Sequence, residues 1–231
     1  PIFEIRLNKI LLHNLSNQTI YGFRPPREEV NKKLTTFLAN SGFKYVLTKN
    51  LGQLEVKYDE KDLMLIPRLG TDDYAYLIRL DWDKKQIIDR IMYEMNFITN
   101  LNGIYTLSTH THLFSYGSNI DITKKVIQKF KKTGIPILSG KNIMDRILEA
   151  KNIEIKSTLT TSNILVTIKN NNHKMVKNFT FRVYGKTISK VGSDFINIEG
   201  KIIKRGLDFV DIRVKELPKF ADVSLFLKLE K

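Results

Sequence analysis

The hydrophobic rhythm of the chain changes once, near Ala150, and that change limits the folds open to it. Before it, segments of helical and strand period alternate. "FEIRLNKILLHNL" has helical spacing, "QTIYGFR" reads as a short strand, and "REEVNKKLTTFLANSG" reads as a helix with acids in its first turn and Gly42 as its stop. "FKYVLTKN", "LGQLEVKY" and "KDLMLIPR" are strand-like, and "DKKQIIDRIMYEMNFITNLNG" is a long helix with Ile87, Ile88, Ile91, Met92 and Met95 on one face. "GIYTLSTHTH" and "IPIL" are expected strands, and "DITKKVIQKFKKTG", with Asp121 near its cap, and "SGKNIMDRILEA" are expected helices. Alternation at this spacing predicts parallel strands with crossover helices, an α/β layered or barrel fold.

After Lys151 the period is two throughout. "IEIKSTLT", "NILVTIKN", "NFTFRVYG", "FINIEGKII", "FVDIRVKEL" and "VSLFLKLE" are short, alternating and separated by Asn, Gly, Ser and Asp. They predict a small antiparallel β-sandwich. The expected division is 1–150 and 151–231.

The charge is uneven as well. The net charge is +14, and residues 151–231 contribute +8 of it, from 16 Lys and Arg against 8 Asp and Glu. A basic surface favours polyanions such as nucleic acid, acidic glycan or an anionic membrane face, though a Lys- and Asn-rich composition bias gives the same total. The absence of cysteine excludes disulfides, thiolate metal sites and a cysteine nucleophile. No stretch has the length and apolarity of a membrane span. "PIFEIRLNKILLHNL" carries Glu4, Arg6 and Lys9 among its apolar residues, unlike a signal peptide.

Three stretches have the residue types that chemistry needs. In "GFRPPREEVN", proline pushes Arg24 into an extended conformation and makes a stiff exit toward a helix expected to start on Arg27. The turn would hold Arg24 and the Arg27 N–H toward one place. In "YTLSTHTHLFSYGSN", His110 and His112 are two apart and would face the same side of a strand. The pair is open to several readings: metal ligands, a weak match to the paired histidines of single-strand endonucleases, a general acid or base, or two partly buried histidines with satisfied hydrogen bonds. In "LIPRLGTDDYAYL", Asp72 and Asp73 read as helix-capping residues.

Together these stretches resemble the NodB-type polysaccharide deacetylases. "GFRPPREEVNKKLTTFLANSGFKYVL" is similar to that family's arginine–proline motif, and "IYTLSTHTHLFSYGSNIDITKKVIQKFKKTGIPILSGKNIMDRI" to the end of its catalytic domain. "LIPRLGTDDY" recurs in the same setting. The resemblance covers roughly residues 16–150 and implies the C-terminal portion of a distorted (β/α) barrel, followed by a sandwich module. It implies hydrolysis of acetyl groups on a polysaccharide, with a divalent metal, zinc or similar, in the complete family enzyme and none bound by this chain alone. Arg24 would orient the catalytic acid, Arg27 would offer its N–H to the oxyanion, and His110 would protonate the leaving amine. His112, the second choice for that acid, would line the substrate with Tyr116 and Pro26.

The sequence departs from the family pattern. The early Thr-Phe-Asp-Asp motif and the paired-histidine metal motif are absent, and His13, His110, His112 and His173 offer no such spacing. "VLTKNL" lacks the Asp and Trp that buttress the arginine. The expected partners are therefore a polysaccharide, acidic or neutral, and the missing N-terminal part of the barrel. The alternatives are a catalytically inactive glycan- or envelope-binding relative and, resting on charge alone, a nucleic-acid-binding protein.

Overall fold

A computed structural model describes residues 2–49, 54–185, 187–193 and 198–230 of the chain. Two compact units, Pro1–Met144 and Asp145–Lys231, divide it. The division falls between Met144 and Asp145, inside a helix, where the sequence pattern placed it at 150.

The first unit is mixed α/β. Helix α1 (Ile2–Ser16) precedes β1 (Gly22–Phe23), α2 (Lys32–Asn40) and β2 (Tyr45–Lys49). Strands β3 (Lys57–Tyr58) and β4 (Met64–Arg68) complete an open sheet of order β1-β2-β4-β3. β1, β2 and β4 are parallel, with α2 as the crossover from β1 to β2, while β3 runs antiparallel to β4. The parallel pattern expected from the alternation is present, but the described residues form no closed barrel. Leu38, Phe43, Val46 and Leu63 bury one core between α2 and the sheet.

α3 (Lys84–Asn100) starts on a capping box, with the Asp83 carboxylate accepting from Gln86 N and the Gln86 amide oxygen from Asp83 N. Its apolar face buries Ile87, Ile88, Ile91, Met95 and Ile98, and leaves Met92 half-buried. Ile87, Ile88 and Ile91 share a second core with Tyr76, Phe114 and the Ile122 and Val126 of α4 (Ile120–Lys132). Helix α5 (Gly140–Lys151) follows.

Several expectations need correction. The helix after Pro26 does not start on Arg27. Pro26–Glu28 form a 3-10 turn, and Arg27 and Glu28 both have positive φ, 57° and 59°. α2 begins at Lys32, capped by Asn31, whose side chain accepts from Leu34 N at 2.9 Å. Two consecutive left-handed residues cannot belong to a right-handed helix. "GIYTLSTHTH" and "IPIL" join no ladder: 103–110 and 135–138 have no regular secondary structure, and Thr111 and His112 lie in a turn. "LGQLEVKY" contributes only β3, and residues 51–53 of that expected strand lie outside the described residues.

The second unit holds β5 (Ile153–Leu159), β6 (Asn163–Asn170), β7 (Val176–Tyr184), β8 (Ile188–Ser193), β9 (Gly200–Arg205), β10 (Phe209–Leu217) and β11 (Asp222–Leu229). They form two antiparallel sheets, β7-β10-β9 and β5-β6-β11-β8, around one apolar core. That is a β-sandwich arrangement. β10 buries Val210, Ile212 and Val214 alternately, and β11 does the same with Val223, Leu225 and Leu227. β8 was not separated in the sequence pattern, and part of "FINIEGKII" (194–197) lies outside the described residues.

Candidate functional site

The site grows from the C-terminal ends of β1 and β4. β4 runs out through Pro67-Arg68 into 69–73, and the segment 105–108 lies beside it. Gly70 N donates to Thr106 O at 3.0 Å, Leu69 N to Thr106 Oγ1 at 3.1 Å, and Asp73 N to Ser108 O at 3.3 Å. A Cβ on Gly70 would stand 2.6 Å from Thr106 O, so the approach requires glycine. Thr106 Oγ1 in turn donates to Pro67 O at 3.2 Å. Side-chain and backbone bonds thus attach 105–108 to the end of β4 where a regular ladder was expected.

This attachment places His110 against Asp73. Asp73 is fully buried, and its Oδ1 lies 2.6 Å from His110 Nδ1. Its Oδ2 accepts from His110 N at 2.6 Å and from Phe114 N at 3.4 Å. An ionised carboxylate only accepts, so Nδ1 carries the proton and Nε2 is left to exchange one. The His110 side chain is 41% exposed, which gives that edge access to a solute.

Arg24 joins the same end of the sheet. Its Nη2 donates to Ser108 Oγ at 2.5 Å and pairs with Glu28 Oε1 at 2.9 Å. The other Glu28 oxygen, Oε2, accepts from Arg68 Nε. Arg68 Nη1 then donates to Gly70 O at 2.6 Å. One buried carboxylate therefore holds two guanidinium groups, which offsets its desolvation. The left-handed backbone at Arg27-Glu28 turns the Glu28 side chain back toward Arg24.

The structure brings some of the expected residues together and leaves others apart. Arg24 and His110 are linked through Ser108, which bonds Arg24 and precedes His110 by two residues. His112 is not beside His110 on a strand. The chain turns after His110, with Leu113 N donating to His110 O at 3.0 Å, yet the two rings remain 5.5 Å apart, tilted by 56°. Tyr116 is 73% exposed, one residue before the turn that starts α4. Pro26 lines an apolar groove of about 790 Å³ between α1 and β1, with Leu11, Leu12, Leu15 and Phe23. The Arg27 side chain is exposed. His13 bonds Gln18 O through Nδ1 at 2.9 Å, and His173 packs edge-on against Phe220, so neither belongs to the site.

Sequence reasoning missed Asp73 and Glu28. Capping is correct for Asp72, whose Oδ1 accepts from Ala75 N at 2.8 Å, but not for Asp73. Two adjacent carboxylates point apart, so one cap implies that the other faces elsewhere, and that was the available signal. Glu28 read as a first-turn helix acid, whereas it supplies the support for Arg24 that "VLTKNL" lacks.

The donor set does not fit a resident metal. Among the described residues no three of His, Cys, Asp and Glu group closely enough to hold an ion. Asp73 is already engaged by three donors. No helix among the described residues is long and apolar enough to cross a membrane.

No protein-family model matches the chain, and no curated protein matches it. Among solved structures it aligns with a glycoside hydrolase family 30 subfamily 8 xylanase from Clostridium acetobutylicum, at 15% identity over 96% of this chain and 59% of that one. It also aligns with a family 30 endoxylanase from Clostridium papyrosolvens, at 10% identity over 97% and 60%. The chain spans about three fifths of the length of each. Both TM-scores are 0.25, a likeness that carries no argument about fold or activity.

Proposed function

We propose that this chain supplies the proton-handling part of a carbohydrate deacetylase that removes acetyl groups from a polysaccharide, its open sheet being one portion of a distorted (β/α) barrel. The observation that supports this is the buried Asp73 holding the His110 ring by Nδ1 while Nε2 stays accessible. A histidine oriented in this way transfers protons efficiently. In hydrolysis, water adds to the acetyl carbonyl and the C–N bond breaks. His110 Nε2 takes a proton from that water and, so protonated, gives it to the departing sugar amine; acetic acid, which ionises to acetate, is the other product. Arg24, fixed by Glu28 and Ser108, places a permanent positive charge at the same sheet end, where it stabilises negative charge developing on the carbonyl oxygen. Among the described residues no three of His, Cys, Asp and Glu group closely enough to hold an ion, so none of these steps is assigned to a metal.

The test is acetate release from a partly acetylated chitosan oligosaccharide by the full-length protein that carries this chain. His110→Ala is expected to lower turnover by roughly two to four orders of magnitude, the loss typical of a general acid. His112→Ala should cost less than about tenfold. Equal turnover in His110→Ala and the parent would overturn the assignment of His110. Glycan binding without acetate release from any acetylated glycan would replace it with a non-catalytic binding role.

A further inference from the structure

The outer face of the β7-β10-β9 sheet is built from the residues that alternate with its buried ones. Along β10 these are Phe209, Asp211, Arg213 and Lys215, and the register sets Tyr184, Arg182 and Thr180 opposite the first three on β7. On β9, Lys204 stands opposite Asp211 and Lys201 opposite Arg213. Five cations thus share one face with two carboxylates, Asp211 and Glu199. Asp211 is committed to Arg182, accepting from Nε at 2.6 Å and Nη2 at 2.8 Å. Among the described residues, Lys201, Lys204, Arg213 and Lys215 take part in no ion pair, and all four are exposed.

Lys201 and Arg213 are the informative pair. They face each other on adjacent strands about 4.8 Å apart, and like charges directly opposite destabilise a sheet. The next cation, Lys215, follows two residues along β10, about 6.8 Å further on the same face. Asn178, Glu199, Lys201, Arg213 and Lys215 wall a concavity of about 450 Å³. On the other sheet one cross-strand row reads Glu154, Lys169, Asp222 with alternating sign, and Lys190 faces Lys228 as a second like-charge pair, so what marks the first sheet is the third cation and the concavity. Glu199, the carboxylate in that concavity, forms no ion pair among the described residues, and three cations against it leave a net positive wall that an external anion would stabilise.

We propose that this face binds an acidic polysaccharide. The proposal takes from the preceding reading only that the partner is a polysaccharide, and it needs no acetyl chemistry. The geometry favours an acidic glycan over nucleic acid. A sheet face offers no helix or ribbon to enter a duplex groove. Single strands are held by stacking on free aromatic faces. The Phe209 ring is covered by the Arg182 guanidinium, 3.6 Å from its centroid, and flanked by Lys204 at 5.7 Å. Tyr184, 65% exposed at the end of the row with the Arg182 guanidinium 5.8 Å from its centroid, is one ring, enough for a pyranose face but not for successive stacked bases.

The test titrates the whole chain with polygalacturonate, dextran and a single-stranded oligonucleotide at low and near-physiological salt. Polygalacturonate should bind, with affinity that falls as salt rises, and dextran should not. Lys201→Ala with Arg213→Ala should weaken binding on the order of tenfold, for the loss of two charge-assisted contacts. Lys190→Ala with Lys228→Ala, a like-charge pair on the other sheet, removes the same charge elsewhere and should leave affinity nearly unchanged. His110→Ala should bind as the parent does, which separates this face from the proposed reaction. Equal weakening by the two double variants, tighter binding of the oligonucleotide through the same residues, or no binding of polygalacturonate at low salt would each overturn the proposal.

Discussion

Asp73 holds His110 by two bonds of 2.6 Å, one to the backbone N–H and one to ring Nδ1. The Phe114 N–H is a third donor to the same carboxylate. In Asp73→Asn, one position of the side chain becomes an NH2 group. The single oxygen must serve the two backbone donors, which cannot change, so the NH2 faces the ring. The ring then takes the Nε2–H tautomer, with Nδ1 accepting. Nitrogen NMR of the His110 ring should show this exchange, and turnover should fall, by no more than in His110→Ala. An unchanged tautomer would remove Asp73 as the positioning residue.

Glu28 is buried beneath two guanidinium groups that are themselves part-exposed, with side chains 40% exposed for Arg24 and 20% for Arg68. Solvent screens part of the charge left behind when it is neutralised. Glu28→Gln should therefore cost about 1–3 kcal/mol, below the range for a wholly buried pair. Denaturant unfolding measures this. Arg24 should also lose its fixed direction toward Ser108, so turnover should fall together with stability.

Arg27 has a φ of 57°, a region that penalises any residue with a Cβ. Its side chain is exposed, and the role expected for it uses only the backbone N–H. Arg27→Gly keeps that N–H, relieves about 1–2 kcal/mol of strain against about 0.4–1 kcal/mol of added unfolded-state entropy, and should raise Tm with turnover nearly unchanged. Lost turnover would mean that the guanidinium contributes to the reaction.

Tyr76 and Tyr105 are phenols whose pKa values are pushed well above the usual value, in both cases first by burial. Repulsion from Glu94 adds to it at Tyr76, and repulsion from Tyr76 and then Glu94 at Tyr105. Tyr76 also donates to Glu94 Oε2 at 3.0 Å. The folded state keeps both protons when the unfolded chain has begun to lose them. Stability present at neutral pH should decline as pH rises past about 10, the unfolded value. Phenolate absorbance should show these two rings ionising together with unfolding, after the exposed tyrosines. Tyr76→Phe should remove part of that alkaline loss.

Local pattern carries much of this fold. The acid and amide of Asp83 and Gln86, three apart, specify the start of α3, and apolar spacing specifies its buried face. Strict alternation in β10 and β11 specifies which residues meet in the sandwich core. These are legible because each depends on neighbours a few residues away. The segment 103–110 shows where that ends. Its β-branched and aromatic residues favour an extended chain, but whether it joins a ladder depends on hydrogen-bonding partners some 37 residues away, and the structure gives it contacts with Pro67, Leu69, Gly70 and Asp73 instead. Asp72 and Asp73 are equivalent as sequence and opposite in the fold, one capping a turn and the other buried against His110. Glu28 fits a helix start as well as it fits an arginine clamp, and only the left-handed turn at Arg27-Glu28 decides between them. The sequence by itself determined the division into an α/β part and a β part, together with the candidates Arg24 and His110. Which carboxylates serve those two was decided by tertiary structure alone, because a buried charge takes its partner from whatever the folded chain brings within hydrogen-bonding distance.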